Sequence, residues 1–191
     1  MSHLAKVEHM TVDRDQVLRS AATLLVRRSG STMDEVARAA GVSRATLHRL
    51  FAGREALVRA LEELGIRECE AAVAAARTDE GPAVDALRRL VAGLQGPAPL
   101  LSFLITEAQL FEGEEIDEGW ARLDGRFTAL FARGQRTGEF RIDLSPTWLT
   151  EALYALIGSC GWCVVDGRVA AQDFPRNVSE LLLGGVLRRT P

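Results

Sequence analysis

The stretch STMDEVARAAGVSRATLHRLF, residues 31–51, decides how this chain is read. Thr32 followed three residues later by Glu35 is a capping-box pattern, and it predicts a short helix beginning at Met33. Gly41 stops that helix after about two turns, where a left-handed residue permits a sharp turn. Ser43 then caps a second short helix whose apolar residues are Leu47, Leu50 and Phe51. Counted from Met33, the apolar Val36, Ala40, Val42, Leu47 and Leu50 fall at places four, eight, ten, fifteen and eighteen, with small Ala37 at five and Gly41 at nine. A helix-turn-helix needs this arrangement: a small residue where two short helices cross, glycine at the turn, and a shared apolar underside. Arg44, Ala45, His48 and Arg49 then face outward together on the second helix, in reach of a major groove.

The rest of the chain sets bounds on that reading. Its 191 residues are 47% hydrophobic and 26% charged, with a 6% aromatic share. That is a folded globular composition, and richness in Ala, Leu, Arg and Glu favours helices over sheets. Residues 1–60 carry ten basic side chains against six acidic ones, a net +4, while the remainder is −7. A basic front on an acidic body predicts that only the front meets a polyanion. Three cysteines are too few for a disulfide-stapled fold. The opening MSHLAKVEHM has no signal-peptide pattern, and the apolar stretch 149–165 is interrupted by Glu151, too short and polar to span a bilayer comfortably. A soluble, cytoplasmic protein with no membrane partner is expected.

Periodicity and punctuation predict an all-α fold of about nine helices. Residues 1–12 read as a flexible arm. From Asp13, Val17, Ala21, Leu24 and Leu25 mark a first helix that ends at Ser29-Gly30, a glycine C-cap. Gly53 opens a long helix to about Arg77. Further helices are expected over 83–95, 99–111, 119–137, 146–165 and 173–189, with an acidic loop at 112–118. Thr137–Leu144 alternates weakly, too isolated to imply a sheet. The division is an arm (1–12), a helix-turn-helix domain (13–55) and a helical regulatory and dimerisation domain (56–191).

The segments RDQVLRSAATLLVRRSG, TMDEVARAAGVS and RATLHRLFAGREAL resemble the tetracycline-repressor (TetR) family of bacterial transcriptional regulators over residues 14–60. The family's third helix commonly runs Gly-Thr-Leu-Tyr-x-x-Phe, then Ser-Lys-Glu-x-Leu. Here Ala45 stands for the glycine, His48 for the tyrosine and Arg54 for the lysine. Carried over by position, Thr32, Thr46, His48 and Arg54 hold phosphates, while Arg44, Ala45 and Arg49 lie nearest base edges beside the capping Ser43. The chemistry agrees: arginine pairs bidentately with guanine, an alanine methyl packs on thymine, and hydroxyls and helix N-termini suit phosphate. A histidine on phosphate predicts affinity that weakens as pH rises; a half-buried, purely structural His48 is the alternative.

The resemblance implies a homodimer on double-stranded DNA, with the last two long helices of each subunit forming a four-helix bundle. Leu149, Leu153, Leu156, Cys160 and Cys163 lie at spacings of four, three, four and three, and Phe174, Val178, Leu181, Leu182 and Gly185 form a second stripe. These ten are the expected interface; burial within one chain is the alternative. The CxxC at 160–163 sits at the negative end of an apolar helix, not at the start of one, so it is not read as a thiol–disulfide enzyme. The family also implies a small-molecule effector among the middle helices, for which Phe103, Glu107, Trp120, Phe127, Phe131, Trp148 and Trp162 are candidates, with core packing as the competing role. Glu107, expected near Phe103, Leu104, Leu110 and Phe111, would pair with a cationic ligand or point at solvent. No metal or cofactor site is expected, since the histidines are confined to the first 48 residues and the cysteines lack partners. The function expected is a homodimeric repressor released from a pseudo-palindromic operator by a small molecule; gating by cysteine oxidation, or a helical adaptor without DNA, are the alternatives.

Overall fold

The computed structural model describes residues 12–108 and 118–187. Residues 1–11 of the expected 1–12 arm, residues 112–117 of the expected 112–118 acidic loop, and Leu110 and Phe111 lie outside them. Among the described residues there are nine α-helices and no strand: α1 (Arg14–Arg27), α2 (Met33–Ala39), α3 (Arg44–Leu50), α4 (Arg54–Ala76), α5 (Ala83–Gly93), α6 (Ala98–Ala108), α7 (Glu118–Arg136), α8 (Pro146–Val165) and α9 (Phe174–Val186), with a 3-10 turn at Ala171–Asp173. Helix starts follow side-chain caps. Asp13 accepts from the N–H groups of Asp15 and Gln16 at 3.0 and 3.2 Å, and Ser43 from Thr46 at 3.0 Å. Ser145 accepts from Trp148 at 3.2 Å, just ahead of Pro146 in the first turn. The Thr32–Glu35 capping box is complete, with Thr32 N–H donating to Glu35 at 2.8 Å. Gly41 takes φ +67°, the left-handed geometry the turn requires.

Two expectations about ends and spans are corrected. Gly30 does not cap α1; the helix stops at Arg27, and the Arg28 N–H closes it on the Leu24 carbonyl. By length and composition the 20-residue α8, with an 18-residue window of mean hydropathy 1.3, is long and apolar enough to cross a membrane, contrary to the reading from Glu151. Their packing against α6, α7 and α9 gives the apolarity another use.

Two apolar cores share the long helix α4. Its first half, Leu57 to Leu64, packs with α1, α2 and α3 and with Leu100, Phe103 and Leu104 of α6. Its second half, Ile66 to Ala76, packs with α5, α7, α8 and α9. Packing therefore runs without a break across position 55. Helices α6 and α8 meet at backbone distance: a Cβ on Gly161 would lie 2.5 Å from Ser102 Oγ and 2.6 Å from the Ala98 carbonyl. The buried Ser102 hydroxyl donates at that crossing, with the Gly158 carbonyl 2.6 Å away. So α6 is fixed to α8 while its outer side carries the front unit.

Candidate nucleic-acid interface

Helix α3 is pinned from below. Leu47 and Phe51 are fully buried, Leu50 is half-buried, and Val36 and Ala37 of α2 close the crossing. With that side committed, Arg44, Ala45, His48 and Arg49 are all exposed on the opposite side. Arg44 is steered by Asp34 of α2, at 3.2 Å, with both side chains largely in solvent. An exposed pair of this kind contributes roughly 0.2–1 kcal/mol, so it orients the guanidinium without withholding it from a stronger acceptor. Sequence reasoning passed over Asp34, since no local pattern links it to a residue ten positions on. Ser43 and Thr46 hydroxyls lie 2.9 Å apart at the start of α3. Thr32 is exposed at the start of α2, where hydrogen bonds from Thr32, first from its N–H and then from its side chain, hold the Glu35 carboxyl below its usual range.

Arg54 behaves differently from the other candidates. Its guanidinium turns inward, donating to the Ser31 carbonyl and to Glu107 of α6, both at 3.4 Å. The expected phosphate ligand and the expected sensor acid are thus each other's partners.

The remaining sensor candidates separate. Phe127 and Phe131 are fully buried in the rear core, where they pack on Tyr154 and Phe140 with ring centres 5.3 and 6.0 Å apart. Phe103 is buried in the front core. Trp120 touches both cores and donates its indole N–H to Glu62 at 2.9 Å. Tyr154 donates to Asp124 at 2.8 Å, and burial foremost, then this bond, pushes its phenol far above the ordinary range. Trp148 is 59% exposed. Trp162 is partly exposed, lies under the Arg168 guanidinium at 4.5 Å, and with Phe103 lines a cleft of about 400 Å³ between α1, α6 and α8. Arg27 also lines this cleft and ties α1 to the end of α8 through the Val165 carbonyl, 3.0 Å from its Nε.

Of the ten interface candidates, Leu149, Leu153, Phe174, Val178 and Leu182 are buried inside the chain's own rear core. That is the alternative role, and the i, i+3, i+4 spacing could not tell the two apart. Leu156, Cys160 and Cys163 are half-buried, whereas Leu181 is 65% exposed and Gly185 is open. Cys69 is buried and its thiol pushed up to about 12, chiefly by desolvation; burial also raises Cys160. Neither is thereby favoured as a thiolate.

A family model described as bacterial regulatory proteins, tetR family, matches residues 17–61. Over 173 residues the chain is 30% identical to the HTH-type transcriptional regulator NfxB of Pseudomonas aeruginosa, covering 90% of this chain and 92% of that protein. It is 28% identical over 171 residues to the HTH-type transcriptional repressor LfrR of Mycolicibacterium smegmatis, covering 90% and 89%. The solved structure of LfrR in complex with proflavine superposes with a TM-score of 0.70 at 24% identity, over 92% of this chain and 97% of that one.

Proposed function

Since this chain belongs to the TetR family, and is a DNA-binding transcriptional regulator without enzymatic activity, we propose that it acts as a homodimeric repressor that leaves a pseudo-palindromic operator when a small molecule binds. The observation that carries this reading is the division of α3, with Leu47 and Phe51 buried beneath and Arg44, Ala45, His48 and Arg49 exposed above. Arg44 and Arg49 read base edges, the Ala45 methyl meets thymine, and Thr32, Ser43, Thr46 and His48 hold phosphates. One short helix reads too few bases for useful specificity, and a twofold pair doubles the site.

The dimer forms on the part of α8 and α9 that the chain leaves open: Trp148, Leu156, Cys163 and Leu181, with Gly184 and Gly185 allowing close backbone approach. A hypothetical Cβ at either glycine meets nothing within 4 Å, which leaves room for a partner helix. The effector acts between α4, α7 and α8, where Glu62 and Asp124 present carboxylates beside Trp120 and Tyr154. Acids beside aromatic side chains suit an organic cation, and proflavine, bound in the LfrR structure, is the first probe. Effector binding shifts α4 and α6, altering the separation of the two α3 helices.

The test is selection of bound sites from random duplex DNA by the purified protein beside an Arg44→Ala, Arg49→Ala variant. A palindrome enriched by the wild type and lost by the variant is expected, with affinity reduced about 100-fold or more. Binding without sequence preference that collapses with salt would overturn the reading.

A further inference from the structure

The ion pair between Arg54 and Glu107 joins the first residue of α4 to the regulatory helix α6. The Glu107 side chain is 8% exposed and Arg54 39% exposed, so the carboxylate is enclosed while the guanidinium keeps a side toward solvent. Both contacts of Arg54 are 3.4 Å, at the long end of hydrogen bonding, and the second goes to the Ser31 carbonyl. Ser31 directly precedes Thr32, where the N–H groups of α2 begin. Its own hydroxyl is buried and has no hydrogen-bond partner among the described residues. The seam is therefore loosely satisfied, and it lies where a phosphate would approach the start of α2.

We propose that Glu107 competes with operator phosphate for the Arg54 guanidinium and so sets DNA affinity from the regulatory side of the chain. This rests on the DNA-binding reading. A phosphate that takes Arg54 bidentately through the Nη2 now on Glu107 draws it off the carboxylate, and a carboxylate this enclosed is costly to leave unpaired. Operator binding thus carries a penalty whose size depends on where α6 holds Glu107. Because α6 is fixed to α8 at the Ser102–Gly158 contact, movement of that pair changes how firmly Arg54 is retained. Arg54 is then a phosphate ligand held in reserve, and Glu107 the internal anion that occupies it between binding events.

The test measures operator affinity against salt for the wild type, Glu107→Gln, Arg54→Gln and the double variant, with urea unfolding of each as a check on folding. Glu107→Gln is expected to tighten binding about fivefold and to steepen the slope of log affinity against log salt, by up to about 0.9 for each phosphate contact completed. Arg54→Gln weakens binding, and in its background Glu107→Gln changes nothing. Glu107→Asp, which keeps the charge but withdraws it by one methylene, gives a smaller gain of the same sign and stands in should the Gln variant fail to fold. An unchanged affinity in Glu107→Gln, or an equal gain with and without Arg54, overturns the proposal. A wild-type protein that binds no operator overturns this proposal and the regulator reading together.

Discussion

The underside of α3 and the outer seam of α8 are both built from apolar residues three and four apart, yet they end differently. Leu47 and Phe51 close within the chain, as do Leu149 and Leu153, whereas Leu156, Cys160 and Cys163 stay half-open and Trp148 of the same helix is exposed. The α2–α3 unit is short, and its buried Val36, Ala37, Leu47 and Phe51 are all needed to hold two helices of seven residues against α1 and α4. Helix α8 has twenty residues and more apolar surface than α6, α7 and α9 together cover. An excess of that kind in a helical bundle marks a surface for a partner, and here the twofold copy is the proposed one.

That contrast can be broken first on its closed side. Leu153→Ala removes a fully buried side chain from the rear core and is expected to cost about 3 kcal/mol in urea unfolding. A loss below roughly 1 kcal/mol, the level of an ordinary substitution, would mean that the seam is not core there. The open side is sharpened by Leu181→Asp. It should weaken dimerisation about 100-fold in sedimentation equilibrium while leaving the secondary structure intact. An unchanged self-association would move the interface elsewhere.

A smaller effect tests how the rear unit is closed. Helix α5 has no cap of its own; Glu139, more than fifty residues away, accepts from the N–H groups of Ala83 and Val84 at 3.0 and 3.1 Å. Burial pushes its carboxyl up, but these two bonds and the Thr137 hydroxyl outweigh it and hold the group below the usual carboxylate range. A depressed folded pKa stabilises above the unfolded value, and that stabilisation is lost as pH falls through the folded one. Glu139→Gln should therefore cost about 1 kcal/mol at neutral pH, with the difference from wild type shrinking on acidification below about pH 4. A difference independent of pH would show that the carboxylate's charge is not what caps α5.

The helix-turn-helix was legible almost residue by residue because its signals are local. The capping box of Thr32 and Glu35, the left-handed Gly41 and the Ser43 cap all act within four residues, and the sequence states them directly. The sensor candidates were legible only as a list. Phe127 and Phe131 became core, Trp148 became surface, and Trp120 became a bridge between the cores, because an aromatic residue at helical spacing carries no mark of which neighbour will cover it. Asp34 and Glu139 were passed over for the same reason. Their partners, Arg44 and the start of α5, are fixed by packing and not by spacing.

By itself, then, the sequence determined the all-α class, the nine helices among the described residues to within a few positions, and the outward face of α3, since caps, turns and periodicity are short-range physics. Tertiary structure decided which apolar stripe is closed and which left open, how α4 is divided between two cores, and that Arg54 is held by Glu107, 53 positions along the chain. Each of those depends on which surfaces meet once helices pack, and a one-dimensional pattern of apolar and charged residues is compatible with several such meetings.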